Sequence, residues 1–284
     1  MFPKVNTRDA AAVLVECQAT WSTVTGSADA PWLHAAFDRL QQTFSGRHPD
    51  FEPLDAKYHD LEHTLQGTLC LARLLRGWHQ SASLPQLDAR AVRLGLTAIL
   101  FHDTGYLKPR GDHDGTGAKF TPIHVQRSAE FAGHYLEAQR AARADVEAAQ
   151  NMIRCTGLNA DVQALQFSSS LDRRVGCALA TADLLGQMAA DDYVAKLPIL
   201  FAEFAEAAER SRQDPSAVPL FRSAEELIRK TPEFWHRHVR PRLDREFEGV
   251  YRFLNVPWPD GPNEYLLRID RQLALIPAPA PAAS

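Results

Sequence analysis

Two apolar stretches of this chain each contain a carboxylate that their composition would exclude. Leu94-Gly-Leu-Thr-Ala-Ile-Leu-Phe101 runs directly into His102-Asp103, and Val175-Gly-Cys-Ala-Leu-Ala-Thr-Ala182 continues into Asp183-Leu-Leu-Gly186. Stretches this apolar belong in an interior. An unpaired carboxylate buried there costs several kcal/mol, so each acid needs a cation or dense hydrogen bonding. The fold must therefore bury these segments and still bring something to each acid.

The surrounding pattern is helical. Leu61, Leu65, Leu69, Leu71, Leu74 and Leu75 recur at helical spacing over about 59–77. Asp88 is a fitting N-cap for a helix through Val92, Leu96, Ile99 and Leu100 that stops near Asp103, with Gly105 suited to its C-terminal turn. Further helices are predicted near 7–24, 31–45, 124–141, 143–155, 171–188, 190–212, 222–230 and 232–254. Residues 105–121, with four Gly and Pro109, read as a long functional or disordered loop. No strand pattern is convincing, so the expected fold class is all-α, a single globular helical domain. Residues 1–50 should pack as N-terminal helices on a core at 51–190, with 191–276 adding C-terminal helices of the same domain. The Pro/Ala tail 277–284 should be disordered.

Composition narrows the function classes. The 284 residues are 45% hydrophobic and 23% charged, enough for a sizeable core. A net charge of −4 without a basic block gives no reason to expect nucleic acid. No apolar run reaches the roughly 18 residues of a membrane span, and Met1–Asn6 lacks an apolar signal core. Cys17, Cys70, Cys155 and Cys177 are scattered, which favours reduced thiols and a cytoplasmic protein.

His59 and His63 stand four apart in Tyr58-His-Asp-Leu-Glu-His63, a spacing that on a helix puts both on one face. A single such His reads equally as a satisfied core residue. Asp103 could instead cap a loop, and Asp183 could pair with Arg173 or Arg174. His124 opens a helix and could lie at the surface. His113 reads as solvent- or substrate-facing, and His134, His236 and His238 as structural or surface residues.

Taken in order, His63, His102-Asp103 and Asp183 resemble the H…HD…D signature of the HD superfamily of metal-dependent phosphohydrolases, over about residues 57–188. The Tyr58–His63 stretch is similar to that of the cyclic-nucleotide phosphodiesterase branch. The resemblance implies an HD metal-binding core at 51–190. It implies metal ligation by His63, His102, Asp103 and Asp183, with His59 as proton donor and Asp103 or Asp183 orienting the attacking water. His124, followed by Ser128-Ala-Glu130, resembles the extra His of members with a second metal, and is a ligand only if that second ion is bound. The later His of those members has no counterpart, since Arg154-Cys155 occupies the place. One ion is therefore expected, not two.

The implied activity is hydrolysis of a phosphoester, of a nucleotide or cyclic nucleotide, by metal-activated water. Two alternatives stand beside it: a di-iron HD-type oxygenase, and a non-catalytic metal-binding regulatory module. The mixed N/O ligands suit a transition metal (Mn, Fe, Zn, Ni or Co), and magnesium also fits. Lys108, Arg110 and Lys119 could neutralise substrate phosphate or simply keep the loop soluble, and the glycines near 116–119 could let the backbone approach an anion. The expected partner is a phosphorylated small molecule, with no membrane. The helices at 190–254 serve either to cover the core or to make homodimer contacts.

Overall fold

The computed structural model describes residues 2–210 and 221–277. Among them are ten α-helices, and the only β-type pairings are isolated bridges. The helices are α1 (Ala10–Thr25), α2 (Pro31–Phe44), α3 (Leu61–Gln80), α4 (Ala89–Phe101), α5 (His124–Ala138), α6 (Arg143–Arg154), α7 (Ser170–Met188), α8 (Tyr193–Arg210), α9 (Ala224–Phe234) and α10 (Glu264–Ala274). The fold is all-α, as expected. Six helices start at a side-chain cap: Asp9, Asp60, Asp88, Ser169, Ser223 and Asn263 each accept a first-turn N–H. Pro31 opens α2, where its missing N–H is not needed.

One continuous apolar core joins residues from Val13 to Ile269. At its centre α3 lies along α7, with α4 and α6 packed on the same group. The α3–α7 crossing is close because both helices present a glycine there. A Cβ on Gly186 would stand 2.8 Å from the Gln66 carbonyl, and one on Gly67 would stand 3.6 Å from the Asp183 Cα. His63 lies one turn before Gly67, and Asp183 about one turn before Gly186, so this crossing sets the distance between them.

Among its elements the structure departs from the sequence expectations in three places, and it decides between two readings of the 105–121 loop. Helix α3 begins at Leu61, because Asp60 caps it by accepting the His63 N–H at 2.8 Å. His59 therefore precedes the helix and does not share a helical face with His63. The segment expected as two helices divided near 231 is one helical run. Helix α9 passes through Pro232 into wide turns at 235–239 and 242–246, around two prolines that cannot donate hydrogen bonds. It ends at left-handed Glu248 and Gly249. Helix α10 is an element the sequence patterns had not signalled. The 105–121 loop is ordered. It contains turns at Thr104–Tyr106 and Gly117–Phe120, and α8 clamps it where Glu206 accepts from the Thr116 N–H and hydroxyl at 2.6 Å each.

The tail expected to be disordered lies, from residue 278 on, outside the described residues, as does the 211–212 end of the predicted 190–212 helix. Among the described residues no helix is long and apolar enough to cross a membrane.

Candidate metal centre

Four side chains from three helices and the turn after α4 converge at the centre of this core. His63 comes from the first turn of α3, His102 from the end of α4, Asp103 from the residue after it, and Asp183 from α7. His63 Nε2 lies 3.0 Å from Asp103 Oδ2 and 3.4 Å from Asp183 Oδ1. His102 Nε2 lies 3.2 Å from Asp103 Oδ2 and 3.4 Å from Asp183 Oδ1. His63, His102 and Asp103 are all buried. The adjacent pair can converge because α4 ends there, turning the Asp103 backbone out of helical geometry (φ −112°, ψ 7°).

The orientation of His102 is fixed from behind. Its Nδ1–H donates to the Ile99 carbonyl at 2.7 Å, which leaves Nε2 facing the cluster. That Nε2, together with Asp103 Oδ2, is buried without a hydrogen-bond partner. Four other buried polar atoms among the described residues are in the same state, but only these two face each other, at 3.2 Å, in one cluster of ionisable groups. Atoms bound to one ion through bonds of about 2.1 Å stand roughly 3.0–3.5 Å apart, which is the spacing of the four His–Asp pairs here. The residues fit a divalent ion.

Without an ion, protons hold the charges together. Burial pushes His63 down, but the Asp103 and Asp183 carboxylates outweigh it and leave His63 raised to about 9. Burial also opposes charge on His102, and the Asp103 and Asp183 charges raise it well above its usual range. Burial would raise both carboxyls, yet His102 and His63 hold Asp103 and Asp183 far below the ordinary carboxylate range.

Both structural alternatives fail. Arg173 and Arg174 pair with Glu248 and not with Asp183. The Asp103 side chain does not cap the turn that follows it.

His59 and His124 flank the cluster on either side of Tyr106. The Tyr106 ring stacks on His59 at 4.4 Å and 15°, and on His124 at 4.5 Å and 21°. His124 Nδ1–H donates to the Thr121 carbonyl at 2.6 Å, and its Nε2 stands 4.0 Å from Asp103 Oδ1. Burial holds its imidazole below the usual range, in the neutral form that binds metals. Two glycines permit this packing. A Cβ on Gly105 would lie 2.0 Å from the His124 carbonyl, and one on Gly117 would lie 2.0 Å from the Tyr106 carbonyl. The Gly117 backbone thus approaches Tyr106 where an anion was expected. Gly105 adopts no left-handed conformation and serves close packing instead of a C-terminal turn.

Glu203 on α8 is the site residue that sequence reasoning missed. Its Oε2 accepts from His59 Nδ1–H at 2.6 Å, and its Oε1 accepts from the Lys57 and Tyr58 N–H groups at 2.7 Å each. Burial would raise its carboxyl, but the His59 and backbone hydrogen bonds hold it below the usual range. Tyr58 donates to Gln187 at 2.8 Å, and Gln187 in turn reaches Asp183 Oδ1 at 3.4 Å.

The three loop cations are committed elsewhere. Lys108 pairs with Asp55 at 2.8 Å and donates to the Gly115 carbonyl. Arg110 pairs with Glu52 at 3.0 Å and donates to the Gly46 and His48 carbonyls. Lys119 pairs with Asp112 at 2.8 Å. Each charge is already paired, Lys119 within the loop and Lys108 and Arg110 with residues at 46–55, so none of them stands free to meet a phosphate. Cys155 is buried against Gly176 of α7, its thiol donating to the Asn151 carbonyl at 3.3 Å, and belongs to no ligand grouping among the described residues.

An all-α chain with a buried two-His, two-Asp cluster is thereby defined. The Npun_R2479-like family model matches residues 111–252, half of the chain, and the chain belongs to that family. The matched span includes His124, Asp183 and Glu203, and begins after His63 and His102-Asp103. No curated protein matches the chain.

Proposed function

We propose that this protein is a metal-dependent phosphohydrolase of HD type, cleaving a phosphoester of a nucleotide or cyclic nucleotide. The observation that carries the reading is the unpartnered, buried pair His102 Nε2 and Asp103 Oδ2, facing His63 and Asp183. His63, His102, Asp103 and Asp183 would hold one divalent transition metal, with His124 placed for a second. A bound divalent ion supplies Lewis acidity, which acidifies water and polarises a phosphoryl oxygen.

The chain's own groups supply the rest. The buried Asp103 carboxylate, whose Oδ2 faces the two imidazoles, can use Oδ1 to accept a hydrogen bond from the attacking water and orient it. His59, anchored through Nδ1 to Glu203, keeps its other nitrogen to deliver a proton to the leaving oxygen. Tyr106 holds that ring in place. Four unpaired, buried thiols suit a reducing compartment such as the cytoplasm.

The test is metal analysis of purified protein, followed by hydrolysis assays with an aryl phosphate and a nucleotide panel across Mn, Fe, Co, Ni, Zn and Mg. Wild-type protein should bind about one ion per chain, and Asp103→Ala should lose the ion and at least ~100-fold of the rate. Failure to take up any metal refutes the reading. Oxygen consumption by the iron-loaded protein, without hydrolysis, would replace it with an oxidative one.

A further inference from the structure

The other end of α4 borders a second feature. A cavity of about 400 Å³ lies between α4, the end of α5 and the start of α6, and its lining carries three arginines, Arg90, Arg93 and Arg140, against one carboxylate, Asp145. This volume lies in the range of small-molecule sites. Arg90 is already used: it pairs with Asp145 at 2.6 Å and with Asp172 at 2.7 Å. Arg93 and Arg140 have no carboxylate within ion-pair distance among the described residues. Arg93 instead lies 5.8 Å from the Trp32 ring centre. Arg39, whose guanidinium bonds His48 and no acid, adds positive charge near Tyr135 together with Arg93. This charge is local, since the chain as a whole is at −4.

Two further observations bear on the same wall. Arg140 occupies a left-handed backbone position (φ 57°) just past the end of α5, where glycine would sit without strain. Helix α6 starts beside it at Arg143, after Ala142, which offers no side-chain cap. Leu94 and Leu136 back the cavity from beneath, both buried in the core.

We propose that this cavity binds a phosphorylated small molecule, its phosphates held by Arg93 and Arg140. Guanidinium forks match phosphate oxygens in pairs. The site is separate from the metal cluster, since about 18 Å of helix rise divides Arg90 from His102. It does not depend on the hydrolase reading.

The probes are pyrophosphate and ADP, titrated calorimetrically into the full-length protein with EDTA present, so that no metal-dependent binding contributes. Both should bind saturably, and tighter binding of ADP would show contacts beyond the phosphates. Equal affinities assign the site to inorganic polyphosphate, which retains the phosphate-binding claim. Arg93→Gln and Arg140→Gly should each weaken binding at least tenfold. Arg140→Gly also relieves the backbone strain, so it should keep or raise the melting temperature, and lost binding could not then be ascribed to misfolding. His63→Ala should leave the affinity unchanged. The proposal is overturned if neither probe saturates, if both arginine variants bind like wild type, or if His63→Ala loses binding while keeping a cooperative thermal transition.

Discussion

At the scale of single residues, the metal cluster makes a pH prediction with a definite sign. In the metal-free protein the His63 imidazolium is stabilised by Asp103 and Asp183, so its folded value of about 9 exceeds the unfolded value near 6.5. That contribution is complete below about pH 6.5 and is lost as pH rises through 9. The shift converts to about 3 kcal/mol. Thermal unfolding in EDTA should therefore show a melting temperature that falls between pH 6.5 and 9. Metal-loaded protein should not show this fall, because the ion replaces the protons. Metal uptake should release protons, measurable by calorimetry in buffers of different ionisation enthalpy. A flat metal-free profile over this range would mean that the imidazoles are not charged in the resting site.

Glu203 gives the second residue-scale prediction. Glu203→Gln keeps Oε1 as acceptor for both backbone N–H groups but removes the negative charge and the acceptor beside His59. Turnover should fall about 10–100-fold while metal content stays at the wild-type value, as expected for a group acting through another. Glu203→Ala also strands two backbone donors, and should lower stability by about 2–4 kcal/mol in urea unfolding. Wild-type turnover in Glu203→Gln would show that His59 acts without it.

These residues also mark what the sequence made legible. His63, His102, Asp103 and Asp183 could be found because a polar group inside an apolar run is a local anomaly, readable within a dozen residues. Glu203 is anomalous only in three dimensions. It stands 144 positions from His59, in a helix that also carries Glu206 and Glu209 on its outer turns. One signal was available: Leu200, Glu203 and Ala207 follow helical spacing, which puts Glu203 on the inner face. The loop cations misled for the converse reason. Lys108 and Arg110 look unpaired locally, because their partners Asp55 and Glu52 lie more than fifty positions upstream.

At the scale of elements, the site depends on how near α3 and α7 approach. Gly186 decides this distance. Replacing a helix-interior glycine by alanine normally gains up to about 1 kcal/mol of helix propensity. Here the added Cβ meets Gln66 and Gly67 backbone atoms at 2.8 Å, and backbone cannot rotate aside. Overpacking of this kind costs about 1–3 kcal/mol, so it should outweigh the propensity gain. Gly186→Ala is expected to lower stability by about 1–2 kcal/mol and to weaken metal binding, because separating the helices moves Asp183 from His63. Chemical unfolding and a metal titration read the two effects separately. A variant more stable than wild type would show that the helices can part freely. The wide turns of the 235–246 segment are a matter of the same scale: two prolines were visible in the sequence, but whether a helix breaks or widens at proline is set by the packing of Trp235, Val239 and Leu243 against the core.

At the scale of the whole molecule, the C-terminal third belongs to the same core as the site. Leu227, Trp235, Val239, Leu243, Phe247, Val250, Leu254 and Ile269 all join the apolar cluster that contains α3 and α7. Trp78 of α3 is fully buried, and Phe253 stacks on it at 5.5 Å and 4°. Each such side chain contributes roughly 1.5–3 kcal/mol when buried, and a typical domain retains only about 5–15 kcal/mol of net stability. Losing eight of them exceeds that margin. A chain ending at residue 190, although it keeps every expected metal ligand, should therefore fail to fold: aggregated on expression, or without a cooperative thermal transition by circular dichroism. It would also lack Glu203, so His59 would have no anchor. If the 1–190 chain folded cooperatively and bound metal as tightly as the full chain, the helices after α7 would be an attachment to an independent core. The predicted collapse would instead mean that the element holding the proton donor and the elements closing the core are selected together.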